Sequence, residues 1–178
     1  GPLANNRANM EGTWSVAAVP DQYSTLKEAF EKAVAGKAEI LYSHGCNLTA
    51  DSNLQKAAYF DKPLPRVDDA KMKAEAMEMA AKADVIVCAM GECSDMTGES
   101  SSRINIEMPD VQHELLMQLA SLGKPIVLLN FSGRPTILNW EKAHIPAILN
   151  VWFGGSEAAD AICDVVFGEK VPSGKLTT

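Results

Sequence analysis

Apolar positions recur along the chain at two spacings, one helical and one extended. Leu26, Phe30 and Val34 fall on one helical face within Lys27 to Ala35, with Ser24 placed to cap the run and Gly36 to end it. Glu39 to Ser43, centred on Ile40, Leu41 and Tyr42, reads as a short strand that stops at His44-Gly45. Residues 46–67 are rich in Asn, Asp and Pro, hold no sustained period, and read as an irregular connection. Asp68 to Ala83 predicts a helix, its acidic start suited to the positive end of the dipole and its packed face formed by Ala70, Ala74, Met77 and Ala81.

The second half repeats a strand–helix alternation. Asp84 to Met90 is apolar on both faces, as a central parallel strand covered by helices should be. Pro109 opens a helix through Leu122 with Val111, Leu115, Leu119 and Leu122 facing inward, and Gly123 closes it. Lys124 to Asn130 is the next strand. After a turn at Ser132 to Pro135 come a short segment over Ile137 to Lys142, a strand over Ala147 to Trp152, and a helix from Ser156 to Phe167. Strands alternating with helices predict βαβ units, hence an α/β fold with an open, mostly parallel sheet flanked by helices.

Composition narrows the function classes. With 178 residues, the chain is one domain long, and 47% hydrophobic with 22% charged residues excludes disordered, collagen-like and coiled-coil classes. The longest apolar runs, Val85 to Met90 and Pro125 to Phe131, are strand-sized, so no membrane span is expected. A net charge of −7 with no basic stripe argues against nucleic acid as a partner. Cys46, Cys88, Cys93 and Cys163 form no CxxC and read as buried thiols, and His44, His113 and His144 have no ligand spacing, so neither metal nor cofactor is expected. All three histidines are expected to be surface or packing residues, the alternative for His44, following a strand, being to line a site. Dinucleotide, P-loop, zinc-protease and nucleophile-elbow motifs do not occur. The amino terminus has no signal-peptide pattern and no initiator Met, so the chain reads as part of a longer one, lacking a strand ahead of Gly1.

In an open α/β sheet the ligand crevice lies outside the carboxyl ends of the strands. There the 18 residues Gly91 to Met108 separate strand from helix, far more than the roughly 2 to 6 of an ordinary connection of this kind. They carry Glu92, Asp95 and Glu99 together with Arg103 and several hydroxyls. A carboxyl shielded in such a loop has its pKa raised, as a general acid requires, yet a solvated surface loop has the same composition. Trp14, after Gly12-Thr13, is placed either to stack on a sugar ring or to plug the core. Trp140 and Trp152 are expected to pack.

Several stretches, in this order, resemble the C-terminal (α/β)6-sandwich domain of glycoside hydrolase family 3, the family of β-glucosidases and β-xylosidases. They are Gly1-Pro2-Leu3-Ala4 with Gly12-Thr13-Trp14, Ala83-Asp84-Val85 leading to Gly91-Glu92, and Gly98-Glu99-Ser100-Ser101-Ser102-Arg103. Gly123-Lys124-Pro125, Ser132-Gly133-Arg134-Pro135, Trp152-Phe153-Gly154-Gly155-Ser156-Glu157 and Phe167-Gly168 through Pro172-Ser173-Gly174-Lys175-Leu176 follow. The resemblance covers nearly the whole chain.

The resemblance implies retaining, exo-acting hydrolysis of terminal β-linked glucosyl or xylosyl residues in a β-glucoside or oligosaccharide. The nucleophile is an Asp on an N-terminal (β/α)8 barrel of the same polypeptide, absent from these residues, and the general acid/base is a loop Glu of the second domain. Motif match places that role on Glu99 rather than Glu92, which is expected to hold the loop through backbone or Arg103 contacts. Trp14 matches a family tryptophan on the aglycone side, and Arg134 is expected to tie the sandwich together. The fragment is expected to be clipped at both ends and inactive alone. Relatives are often periplasmic or secreted, some are dimers, and many continue into a fibronectin-like domain. The alternative is a non-enzymatic, flavodoxin-like ligand-binding module.

Overall fold

A computed structural model describes residues 1–57 and 67–177. Helix α1, Leu26–Ala33, begins at Thr25, not at Ser24: the Thr25 hydroxyl accepts from the Glu28 N–H while the Glu28 carboxylate accepts from the Thr25 N–H. This reciprocal box satisfies two amides that would otherwise lack partners, and Ser24 has no glutamate three residues on. Within the expected irregular stretch, Ser52–Ala57 forms α2, Asp51 accepting from the N–H groups of Asn53 and Leu54. The remainder of that stretch, 58–66, lies outside the described residues.

Helix α3, Asp69–Lys82, is capped by the Asp68 carboxylate, but it packs on Met72, Ala76 and Ala80. The expected face is wrong because alanine and methionine recur on several sides of this helix. Ala70, Ala74 and Ala81 are exposed.

Three strands pair in parallel in the order β1 (Ile86–Gly91), β2 (Ile126–Phe131), β3 (Ala147–Asn150). Between them run α4, Asp110–Ala120, and α5, Asn139–His144, and α6, Ala158–Val166, follows β3. Alternation along the strands sends Cys88, Met90, Ile126 and Leu128 into a core with α3 and α4. It sends Ala89, Leu129 and Phe131 into a second core with α1 and α6. Both faces of the sheet are covered, as the continuous apolar runs require.

Glu39 to Ser43 joins no strand pair among the described residues. The edge of β1 that it would occupy is used otherwise: Leu3 N–H donates to Ala89 O at 3.3 Å. At Gly91 the Gln112 side chain accepts from the N–H and donates to the C=O, both at 2.8 Å. Gln112 also donates to Leu48 O at 2.8 Å, so α4 buries a polar residue; Val111, expected to face inward, is only half-buried, while Leu122 packs half-buried against the core with Leu115 and Leu119. Ser156 does not cap α6. Its hydroxyl donates to Glu11 instead, and Glu157 occupies the cap position.

Candidate active site

All three strands end on one edge of the sheet, and the loops leaving β1 and β2 meet there. Gly91 makes the exit possible, with φ of +125° and a hypothetical Cβ only 2.1 Å from Phe131 O, so no larger residue fits. Glu92 follows, fully buried. Its Oε1 lies 2.5 Å from Arg103 Nη1, and its Oε2 lies 2.7 Å from the Ser132 hydroxyl and 3.2 Å from Arg134 Nε. A buried carboxylate needs such donors, and two guanidiniums balance its charge.

Arg134 also reaches the backbone of the long loop. Its Nη2 donates to Met96 O and to Ser101 O, the second at 2.8 Å. From the other side Thr13 Oγ1 lies 2.7 Å from Ser94 O and 2.8 Å from Thr97 O. Gly98 has φ of +99°, and a Cβ there would come within 2.8 Å of Thr13 Oγ1. Ser100 is also left-handed, at φ +63°. Glu99 therefore stands on a sharp tip between two left-handed residues.

Its exposed carboxylate has no hydrogen bond or ion pair among the described residues. Trp14 is 70% exposed, which removes the core-plug reading, and it adjoins Thr13 just as Glu99 adjoins Gly98. The contact between Gly98 and the Thr13 side chain thus joins the backbone next to each predicted site residue, and both residues are exposed. Asp95, the third loop carboxylate, has Oδ2 buried without a partner among the described residues, and burial pushes its pKa up.

The remaining candidates take packing roles. His44 sits 3.4 Å from the Tyr42 hydroxyl, and burial, followed by the amino-terminal charge, lowers its pKa to about 4. His113 pairs with Glu141 at 2.9 Å, and His144 bonds Trp140 O at 2.7 Å. All four cysteines are buried and free, and burial pushes their pKa values to about 11 for Cys88 and about 12 for the others, so they are protonated thiols. Trp140 packs between His113 and His144. Trp152, expected in the core, is 38% exposed; it lies beyond the end of β3 and has a φ of +54°.

Sequence reasoning anticipated the Glu92–Arg103 contact and the tying role of Arg134. It missed Ser132 as a ligand of Glu92, and only the Ser-Gly-Arg-Pro turn after a strand hinted at it.

The chain belongs to the Glycosyl hydrolase family 3 C-terminal domain, whose profile matches residues 1–178. It is 40% identical over 179 residues to a periplasmic β-glucosidase of Salmonella typhimurium, covering 99% of this chain and 23% of that one. A β-xylosidase of Formosa agariphila is 29% identical over 99% of this chain and 23% of its own. The crystal structure of a β-glucosidase from Listeria innocua in complex with gluconolactone superposes with a TM-score of 0.78 at 27% identity, covering 99% of this chain and 21% of that one. The chain therefore spans under a quarter of the length of these relatives, and the match favours the glycosidase domain over the ligand-binding module.

Proposed function

We propose that the chain is the acid/base-bearing domain of a retaining, exo-acting β-glucosidase or β-xylosidase. The observation that carries this reading is the contrast within one loop: Glu92 is buried and saturated with donors, while Glu99 is exposed at the loop tip with no partner among the described residues. A group that must give a proton to a glycosidic oxygen and later take one from water has to reach substrate, and Glu99 can.

In this reading Glu99 protonates the leaving oxygen as a carboxylate nucleophile attacks the anomeric carbon. It then deprotonates the water that releases the sugar from the glycosyl-enzyme. The nucleophile comes from an N-terminal (β/α)8 barrel of the same polypeptide, consistent with relatives more than four times this length. Trp14 offers an apolar ring face to the sugar or aglycone beside the loop. Printed names of both β-glucosidases and β-xylosidases among the relatives support a terminal glucosyl or xylosyl substrate. One relative is periplasmic by name, and no described helix is long and apolar enough to cross a membrane, which fits a periplasmic or secreted enzyme.

The test compares the 178-residue chain with the complete polypeptide on an aryl β-glucoside. Turnover is expected only from the complete polypeptide. Turnover by the 178 residues alone, or tight binding of FMN or ATP to them, would reject the reading.

A further inference from the structure

We infer that Arg134 is a positioning residue for the acid/base: one guanidinium clasps the loop at two points on either side of Glu99 and so sets where its carboxyl stands. The inference rests on Glu99 as the acid/base. Nη2 of Arg134 donates to Met96 O and Ser101 O, leaving only Thr97, Gly98, Glu99 and Ser100 between the pinned carbonyls. Within that short span Gly98 and Ser100 both adopt left-handed backbone.

The guanidinium is itself fixed from behind. Its Nε lies 3.2 Å from Glu92 Oε2, and its backbone N–H donates to the Ser132 hydroxyl, which lies 2.7 Å from the same carboxylate oxygen. Glu92 leaves β1 and Ser132 leaves β2, so the clasp refers the loop tip to the ends of two paired strands. A second tie, Arg103 to Glu92 Oε1 at 2.5 Å, anchors the far end of the loop to the same carboxylate. The loop is thus held to the sheet with no hydrogen bond or ion pair to the Glu99 side chain among the described residues.

A clasp of this kind controls proton transfer selectively. Leaving groups that depart readily as anions need little protonation, whereas alkoxides need it fully, so a misplaced acid harms only the second class. Displacement by about 1 Å costs on the order of 10²-fold.

The experiment uses the complete polypeptide and kcat/KM for 2,4-dinitrophenyl and alkyl β-glucosides, with Arg134→Met, Glu99→Ala and the double variant. Arg134→Met is expected to lose about 10²-fold on the alkyl glucoside and far less on the dinitrophenyl one. Adding it to Glu99→Ala should cause no further loss on the alkyl glucoside, because Arg134 acts only through Glu99. Equal losses of Arg134→Met on both substrates, or losses that multiply in the double variant, would overturn the clasp while leaving Glu99 as acid/base. A Glu99→Ala enzyme without leaving-group selectivity would overturn both. Should Arg134→Met fail to fold, Arg134→Lys carries the same comparison: its amine keeps the charge but cannot span Glu92 and both carbonyls.

Discussion

Nη1 of Arg103 lies 2.5 Å from Oε1 of Glu92, joining residues eleven apart across the base of the long loop, with the carboxylate wholly excluded from water. Arg134 approaches the same carboxylate from the β2 side at 3.2 Å. The two guanidiniums and the Ser132 hydroxyl engage both carboxylate oxygens of Glu92, which suits it to holding the loop. Replacing Glu92 by Ala leaves both guanidiniums facing an apolar gap, and the loss is expected to be about 3 kcal/mol, the low end for a broken buried pair. Urea unfolding of the 178-residue chain checks it, and Glu92→Gln, which keeps two hydrogen-bonding atoms, should lose less.

Glu99 should behave in the opposite way. Its side chain is exposed and makes no hydrogen bond or ion pair among the described residues, so Glu99→Ala in the 178-residue chain is expected to change stability by under about 0.5 kcal/mol. In the complete polypeptide the same change should slow hydrolysis of poor leaving groups by about 10²- to 10⁴-fold. On activated aryl glucosides, whose glycosyl-enzyme forms without acid help and then waits for the missing base, azide should restore part of the turnover as an external nucleophile. An unchanged rate on poor leaving groups would remove Glu99 from the reaction.

The alternation of strands and helices was legible because β1 and β2 are apolar on both faces and their helices end in glycine or begin at proline. What was not legible depended on partners distant in sequence. Glu39 to Ser43 has strand composition, but the edge of β1 is filled by Leu3 and the Gln112 side chain. The face of α3 was misassigned because alanines lie around much of the helix. Glu99 and Glu92 are seven residues apart in one polar loop, and composition cannot tell a buried carboxylate from an exposed one. Three partners set Glu92 apart, Arg103 at the far end of the loop and Ser132 and Arg134 some forty residues on.

Gln112 is a case in which a buried polar side chain replaces a strand. It bonds both backbone groups of Gly91 and the carbonyl of Leu48, each at 2.8 Å. Gln112→Leu keeps the volume but leaves those backbone groups unsatisfied, so a loss of about 3 kcal/mol is expected. Amide exchange at Gly91 should quicken in the variant, whereas a purely hydrophobic role for this position would leave exchange unchanged.

Gly98 faces the Thr13 side chain with φ of +99° and no room for a Cβ, since Thr13 Oγ1 would stand 2.8 Å away. Gly98→Ala is therefore expected to cost at least about 1 kcal/mol in strain. It should also loosen the hydrogen bonds by which Thr13 holds Ser94 O and Thr97 O. Trp14 fluorescence reports this, because the residue sits next to Thr13, and its emission should shift in Gly98→Ala.

Asp95 makes stability depend on pH in a direction opposite to that of most paired carboxylates. Burial raises its pKa above 3.8, and its Oδ2 has no partner among the described residues. The folded chain thus holds this proton more tightly than the unfolded chain does. Stability from this group is greatest below pH 3.8 and falls as the pH rises from there to the folded value, above which the penalty is fully present. Asp95→Asn removes the charge at nearly constant shape, so it should raise the melting temperature at pH 7 and make little difference near pH 3. Thermal unfolding of both chains across that range checks the sign: a gain for the Asn variant that is larger in acid than at neutrality would show that the buried oxygen is ionised at no cost.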